Sequence, residues 1–187
     1  MVVDWAAAHA EGLLAPLGDR WRHTEMVAQR ARRVSMLIDQ SEREVLVAAA
    51  YLHDIGYAPT LVRSGSHQLD GALHLRALGH ERLAGLVANH SSARYELELR
   101  GLEEDLRGFP DENSALSRLL TYCDMTTGPT GRLVTLDERL GEVKGRYGAD
   151  HIVTRALDLA RPAIEVMCAS AEAALRQDGI PLLCDDG

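Results

Sequence analysis

His23, the adjacent pair His53-Asp54, His67, His90 and Asp124 form an ordered set of six potential metal ligands, scattered widely along the chain. Imidazole nitrogens and carboxylate oxygens together suit divalent metals of intermediate hardness: Fe, Mn, Co, Ni or Zn. If these groups act together, the fold must carry distant residues to one interior point. That demand constrains the architecture more than any other feature. Such a set can hold two ions if one carboxylate bridges, and two ions about 3.5–4 Å apart can clamp a phosphoryl group and activate a water.

The apolar spacing predicts an all-α chain, helix after helix. A short first helix runs from Asp4 to about Leu14 and carries Trp5. Thr24 to Ile38 follows, with Val27, Ala31, Val34 and Ile38 on one stripe and His23 one turn before Val27. Ser41-Glu42-Arg43-Glu44 has the form of a capping box, and Leu46, Ala49, Ala50 and His53 continue one face to a stop at Gly56. His53-Asp54 then occupies a last helical turn, where adjacent side chains splay by about 100° and both can reach one centre.

His67 opens a helix ending near Gly79, and the next, from about His80, carries Leu83, Leu86, Val87 and His90 on one stripe. Arg94 to Gly108 reads as a charged, solvated helical excursion or lid. Asp111 can cap a helix from Asn113 in which Leu116, Leu120 and Asp124 fall four apart, carrying Asp124 inward. The segment Thr126-Thr127-Gly128-Pro129-Thr130-Gly131 breaks that helix. Thr135-Leu136-Asp137-Glu138 is a second capping box, opening a helix to about Tyr147. Asp150 caps a long last helix with a kink expected at Pro162 and closure near Gly179. Every proposed ligand falls at a helix end or on an inward stripe.

Length, 187 residues, fits one domain with a proper core, and a single Phe beside abundant Ala, Leu and Arg favours helices over sheet. No apolar run approaches the roughly 18–20 residues of a membrane span, and the N-terminus lacks a basic region followed by an apolar core. Cys123, Cys168 and Cys184 are odd in number and scattered, which argues against a disulfide framework and for a cytoplasmic setting. A net charge of −8 gives no basic footprint for duplex nucleic acid. A small anionic partner stays compatible, because metal and Arg can make a local positive site in an acidic protein.

The ligand order resembles the HD superfamily of metal-dependent phosphohydrolases, whose signature is His…His-Asp…Asp, often with two further His between. The resemblance runs from about His23 to the Thr126–Gly131 loop. It implies an HD-type helical bundle over residues 1–187, with a motif core at about 20–132 and C-terminal helices at about 135–180. It implies His23, His53, Asp54 and Asp124 around one ion and His67 and His90 at a second, with Asp54 shared and Asp54, Asp124 and His90 catalytic. His67-Gln68-Leu69-Asp70-Gly71-Ala72 strengthens it, since a Gly-Ala follows the His in several dinuclear members. The mononuclear deoxynucleotidase branch has a Glu three residues past the Asp of the pair; Tyr57 stands there.

The activity so implied is hydrolysis of a phosphate ester or anhydride, with a nucleotide as the substrate class. Two alternatives are a di-iron oxygenase on the same fold and a non-catalytic, metal-containing ligand sensor. Oligomeric state, including a homo-oligomer, is left open.

Other residues carry weaker signals. An inward Asp124 needs a cation or donors, and Arg118 or Arg132 could supply the latter. Arg94, just past His90, and Arg132, just past the Asp124 loop, are positional candidates for substrate phosphate. The Thr126–Gly131 loop offers N–H groups and hydroxyls to an anion, or is a plain connector. His74, seven residues after His67, could contact the centre from outside; His9 and His151 read as surface residues. Cys123 reads as a small core hydrophobe.

Overall fold

Helix α3, Gln40–Leu52, is apolar over most of its surface: Leu46, Val47, Ala48, Ala49, Ala50 and Leu52 are all buried. A helix of that kind belongs in the middle of a bundle. In the computed structural model, which describes residues 2–182, α3 packs against four partners. These are α1 (Val2–Leu14), α2 (Asp19–Val34), α5 (Glu81–Asn89) and α8 (Ala115–Met125). Helix α4 (His67–Ala77) lies against α5. The long α10 (Ile152–Gln177) crosses α6 (Arg94–Arg100), α8 and α9 (Leu136–Tyr147), and a short α7 (Glu103–Leu106) follows α6.

The described residues form ten α-helices and no strand; Thr127 and Leu133 pair only as an isolated antiparallel bridge. The all-α expectation holds. None of these helices is long and apolar enough to cross a membrane.

Helix ends are where the sequence reading needs correction. Helix α2 begins at Asp19, after Gly18 at φ 58, so His23 stands inside its first turns rather than ahead of them. Its polar opening turn was invisible to an apolar stripe. Helix α3 opens after Asp39, which places Ser41 within the helix, and no side chain caps it. Ser114 rather than Asp111 caps α8, accepting from Ser117 N; Asp111 instead accepts from Asn113 N at 2.9 Å. His151, exposed as expected, displaces Asp150 as the cap of α10 by accepting from Val153 N. The capping box at Thr135 and Glu138 is formed as read.

The Arg94–Gly108 stretch is less solvated than its charge suggests, since α6 buries Glu96 and Leu97 beneath α10. Pro162 lies inside α10. Cys123 is fully buried and its thiol is pushed up to about 12 by burial, the chemistry of a core residue. Cys168 is also buried and unpaired, and Cys184 lies outside the described residues.

Candidate metal centre

Helix α3 delivers His53 at its C-terminal cap, and Asp54 follows at the start of a 3-10 turn, Ile55–Tyr57. The pair therefore sits just past the helix end, where the chain turns. The turn is held against α4 by backbone contact. A Cβ placed on Gly56 would stand 1.9 Å from the carbonyl oxygen of His67 and 2.7 Å from Gly71 N. Asp70 secures the other side of α4: its carboxylate accepts the N–H groups of Arg63 and Ser64, both at 2.9 Å. His67 is thus fixed from both directions.

His90 follows the last residue of α5 and opens a tight turn in which Ser91 and Ser92 have φ of 51° and 58°. Left-handed backbone at a non-glycine residue is strained and persists where its surroundings enforce it. Here the enforcement is visible: Ser91 N donates to Thr121 Oγ1 at 3.0 Å and Ser91 Oγ donates to Asp124 Oδ2. Asp124 comes from the last turn of α8, and His23 from α2.

These side chains converge. Asp124 Oδ1 lies 3.1 Å from His23 Nε2 and 3.9 Å from His53 Nε2. Asp54 Oδ2 lies 3.4 Å from His53 Nε2 and 3.8 Å from His23 Nε2. Its other oxygen, Oδ1, lies 3.3 Å from His67 Nε2. The His90 ring stands edge-on to those of His53 and His67, at 5.2 and 5.3 Å between centroids. Two donor groups result, His23–His53–Asp54 and Asp54–His67–His90, with Asp54 in both. Ligands about 2.1 Å from a shared ion are separated by roughly 3.0–3.5 Å at common coordination angles, so these spacings suit a cation.

Three of the rings are prepared for it. His53 Nδ1 donates to Ala50 O at 2.7 Å, His90 Nδ1 to Val87 O at 2.7 Å, and His23 Nδ1 to Gly128 O at 3.1 Å. Each backbone bond fixes the tautomer that turns the Nε2 lone pair inward. His53 Nε2 is buried and has no hydrogen-bond partner among the described residues. A buried polar nitrogen left without a partner is costly, and a cation at that point supplies one. The donor set fits a divalent metal ion.

Electrostatics point the same way at all of these groups but His53, where Asp54 and Asp124 outweigh burial and hold the ring's pKa raised. Burial alone would push Asp54 up, but Arg20, His53 and His67 outweigh it and hold the carboxyl well below the usual range. Burial likewise opposes Asp124, and His23, His53 and Arg139 hold it low. Burial pushes His67 and His90 down, keeping their rings neutral as ligation demands. Burial pushes His23 down too, against the pull of Asp124 and Asp54.

A cleft opens onto this centre, lined by Asp54, His67, His90 and Asp124 and by three arginines, Arg20, Arg139 and Arg146. None of the three was singled out by sequence. The partner of Asp124 is neither Arg118 nor Arg132 but Arg139, whose Nη2 lies 3.9 Å from Oδ1. Arg94 is exposed, rests over the Tyr95 ring and lines a neighbouring depression with Asn89 and Arg118. Arg132 is exposed near Glu138. Most of the Thr126–Gly131 loop turns inward: the hydroxyls of Thr126 and Thr127 donate to carbonyls of α8, and Gly128 O orients His23. His74 stands apart, its Nε2 2.8 Å from that of His9, which stacks on Trp5 and is half-buried.

The sequence matches the HD domain over residues 20–126, from Arg20 to just past Asp124. No curated protein and no solved structure matches the chain. The matched span covers more than half of the chain and contains the whole donor set, and the chain belongs to the HD-domain family.

Proposed function

We propose that the chain hydrolyses a phosphate ester or anhydride of a small molecule, with a nucleotide as the class favoured by the family. One or two divalent transition-metal ions would be held by His23, His53, Asp54 and Asp124 and by His67 and His90, with Asp54 shared. The observation that carries this reading is the division of labour within Asp54, whose Oδ1 addresses His67 and whose Oδ2 addresses His53. A bridging carboxylate needs that arrangement. When bound, such ions polarise phosphoryl oxygens and lower the pKa of water.

The protein's own groups position the substrate. Arg139 is buried, its Nε has no hydrogen-bond partner among the described residues, and it lines the cleft next to Asp124. A guanidinium with donors to spare in such a place suits phosphate, which it can grip through two bonds at once. Arg20, planted on Asp54, and Arg146, two turns along α9 from Arg139, add positive charge to the same cleft. Asp54, Asp124 and His90 are the groups on which turnover depends.

The test is phosphate release from nucleotides and simple phosphomonoesters, with Mn, Co or Fe supplied and oxygen excluded. Release under these conditions is expected. Activity that requires O2, or none on any phosphorylated compound, would overturn the reading.

A further inference from the structure

Metal ligands and arginines account for a phosphate; they leave unexplained a carboxylate in the same cleft. Glu96, on α6, is 5% exposed and lines that cleft. Arg100 holds it from one side only: Nε and Nη2 lie 2.8 and 2.7 Å from Oε1. Among the described residues no donor hydrogen-bonds Oε2. That oxygen keeps access to the cleft, where a ligand can supply the donor it lacks.

Gln68 is its complement. Ser66 Oγ donates to Gln68 Oε1 at 2.8 Å, which leaves the Nε2 amide hydrogens without an acceptor among the described residues. Gln68 is buried to the same degree and lines the same cleft. The two lie in one neighbourhood. A Cβ on Gly65, three residues before Gln68, would stand 3.4 Å from Nη1 of the Arg100 that holds Glu96. Tyr57, whose ring stacks 4.1 Å from that of His67 at the metal centre, lines the same cleft.

A free acceptor and a free donor together match a hydroxyl, which gives one hydrogen bond and takes another. An ammonium group would face the donor of Gln68, and a second phosphate would be repelled by Glu96. We infer that Glu96 and Gln68 form a hydroxyl-reading subsite, so that the ligand is the phosphate of a sugar or other polyol rather than an inorganic polyphosphate or a simple alkyl phosphate. This rests on the phosphate-directed reading of the metal cleft.

Two non-hydrolysable probes of equal charge separate the ideas: the methylenephosphonate analogue of ribose 5-phosphate, and n-hexylphosphonate. Binding of each to the metal-loaded full chain is measured by calorimetry. The wild type should bind the ribosyl probe about tenfold or more tightly than the alkyl one, the scale of hydrogen bonds to charged groups. Glu96→Gln and, independently, Gln68→Met should each erase most of that preference while leaving hexylphosphonate affinity within about twofold. Equal binding of both probes by the wild type would overturn the subsite, as would variants that weaken both probes alike. If the metal-loaded wild type binds neither probe, the phosphate reading itself falls, and the subsite with it.

Discussion

Arg20 sets its Nη1 2.6 Å from Asp54 Oδ2 while its guanidinium lies 4.0 Å over the ring of Tyr57. A cation from the first turn of α2 is thereby fastened to the carboxylate that both donor groups share. Breaking a buried pair from one side strands the other charge, typically at about 3–5 kcal/mol. A bound divalent ion would compensate Asp54 in its place. Arg20→Ala should therefore lower the melting temperature of chelator-treated protein strongly, and much less once metal is restored. An equal loss in both states would show that Asp54 does not face the metal.

The metal count separates one site from two. His90 belongs only to the second donor group, whereas Asp54 belongs to both. Metal analysis of purified His90→Ala should find fewer ions per chain than wild type, with helicity by circular dichroism intact. Asp54→Ala should lose metal from both. Identical metal content in wild type and His90→Ala would place His90 outside the coordination sphere.

Gly56 permits the contact between the 3-10 turn and α4. An added methyl would collide with the backbone of His67 and Gly71, neither of which can swing aside as a side chain can. Overpacking of this kind costs about 1–3 kcal/mol, and the rigid partner puts Gly56→Ala at the upper end. Because relief would come by moving α4 away, the variant should also bind less metal at the site that includes His67. A denaturant midpoint like that of wild type would refute the close approach.

Much of the centre was legible because its residue types are rare and carry their chemistry with them. His53-Asp54, His67, His90, His23 and Asp124 could be found by type and order, and their inward aim followed from helical spacing. Arg20 and Arg139 could not, since in a chain with 20 basic residues no local pattern distinguishes a cleft arginine from a solvated one. Arg94 and Arg132 were chosen for nearness along the chain, which says nothing about direction. Gly56 read as a helix stop, and its contact with α4 is a tertiary property. Cap positions slipped because several polar residues compete at each end, and packing of the whole helix decides among them.

His9 and His74 make a prediction away from the centre. Burial lowers both, and for His9 the charges of His74 and His80 lower it further. Between the folded values and the unfolded value of about 6.5, the unfolded chain holds more protons, so stability rises with pH. The contribution is whole above about pH 6.5 and is lost as pH falls through the folded values. Melting temperature should drop for wild type from pH 7 to pH 5 more steeply than for a His9→Gln, His74→Gln double variant. Parallel curves would mean that the pair carries no such linkage.

Turnover should distinguish groups that hold metal from groups that hold substrate. Asp124 touches His23 and Ser91 and lies within reach of His53, so Asp124→Ala removes the carboxylate beside the His23–His53–Asp54 group and should abolish phosphate release. Arg139 comes no nearer to Asp124 than 3.9 Å and donates chiefly to Glu142, so its removal should leave metal content near wild type. What Arg139→Ala loses is a charge-assisted grip on phosphate, worth about 1.5–3 kcal/mol, or roughly 10–100-fold in kcat/KM. Arg94→Ala, whose guanidinium rests on Tyr95 outside the cleft, should stay within about twofold, as expected of a surface substitution. Steady-state kinetics with metal content measured on the same samples decides the matter. If Arg94→Ala is crippled and Arg139→Ala is not, the substrate enters from the depression beside Asn89 and Arg118, and the assignment of the phosphate-binding arginine must be reversed.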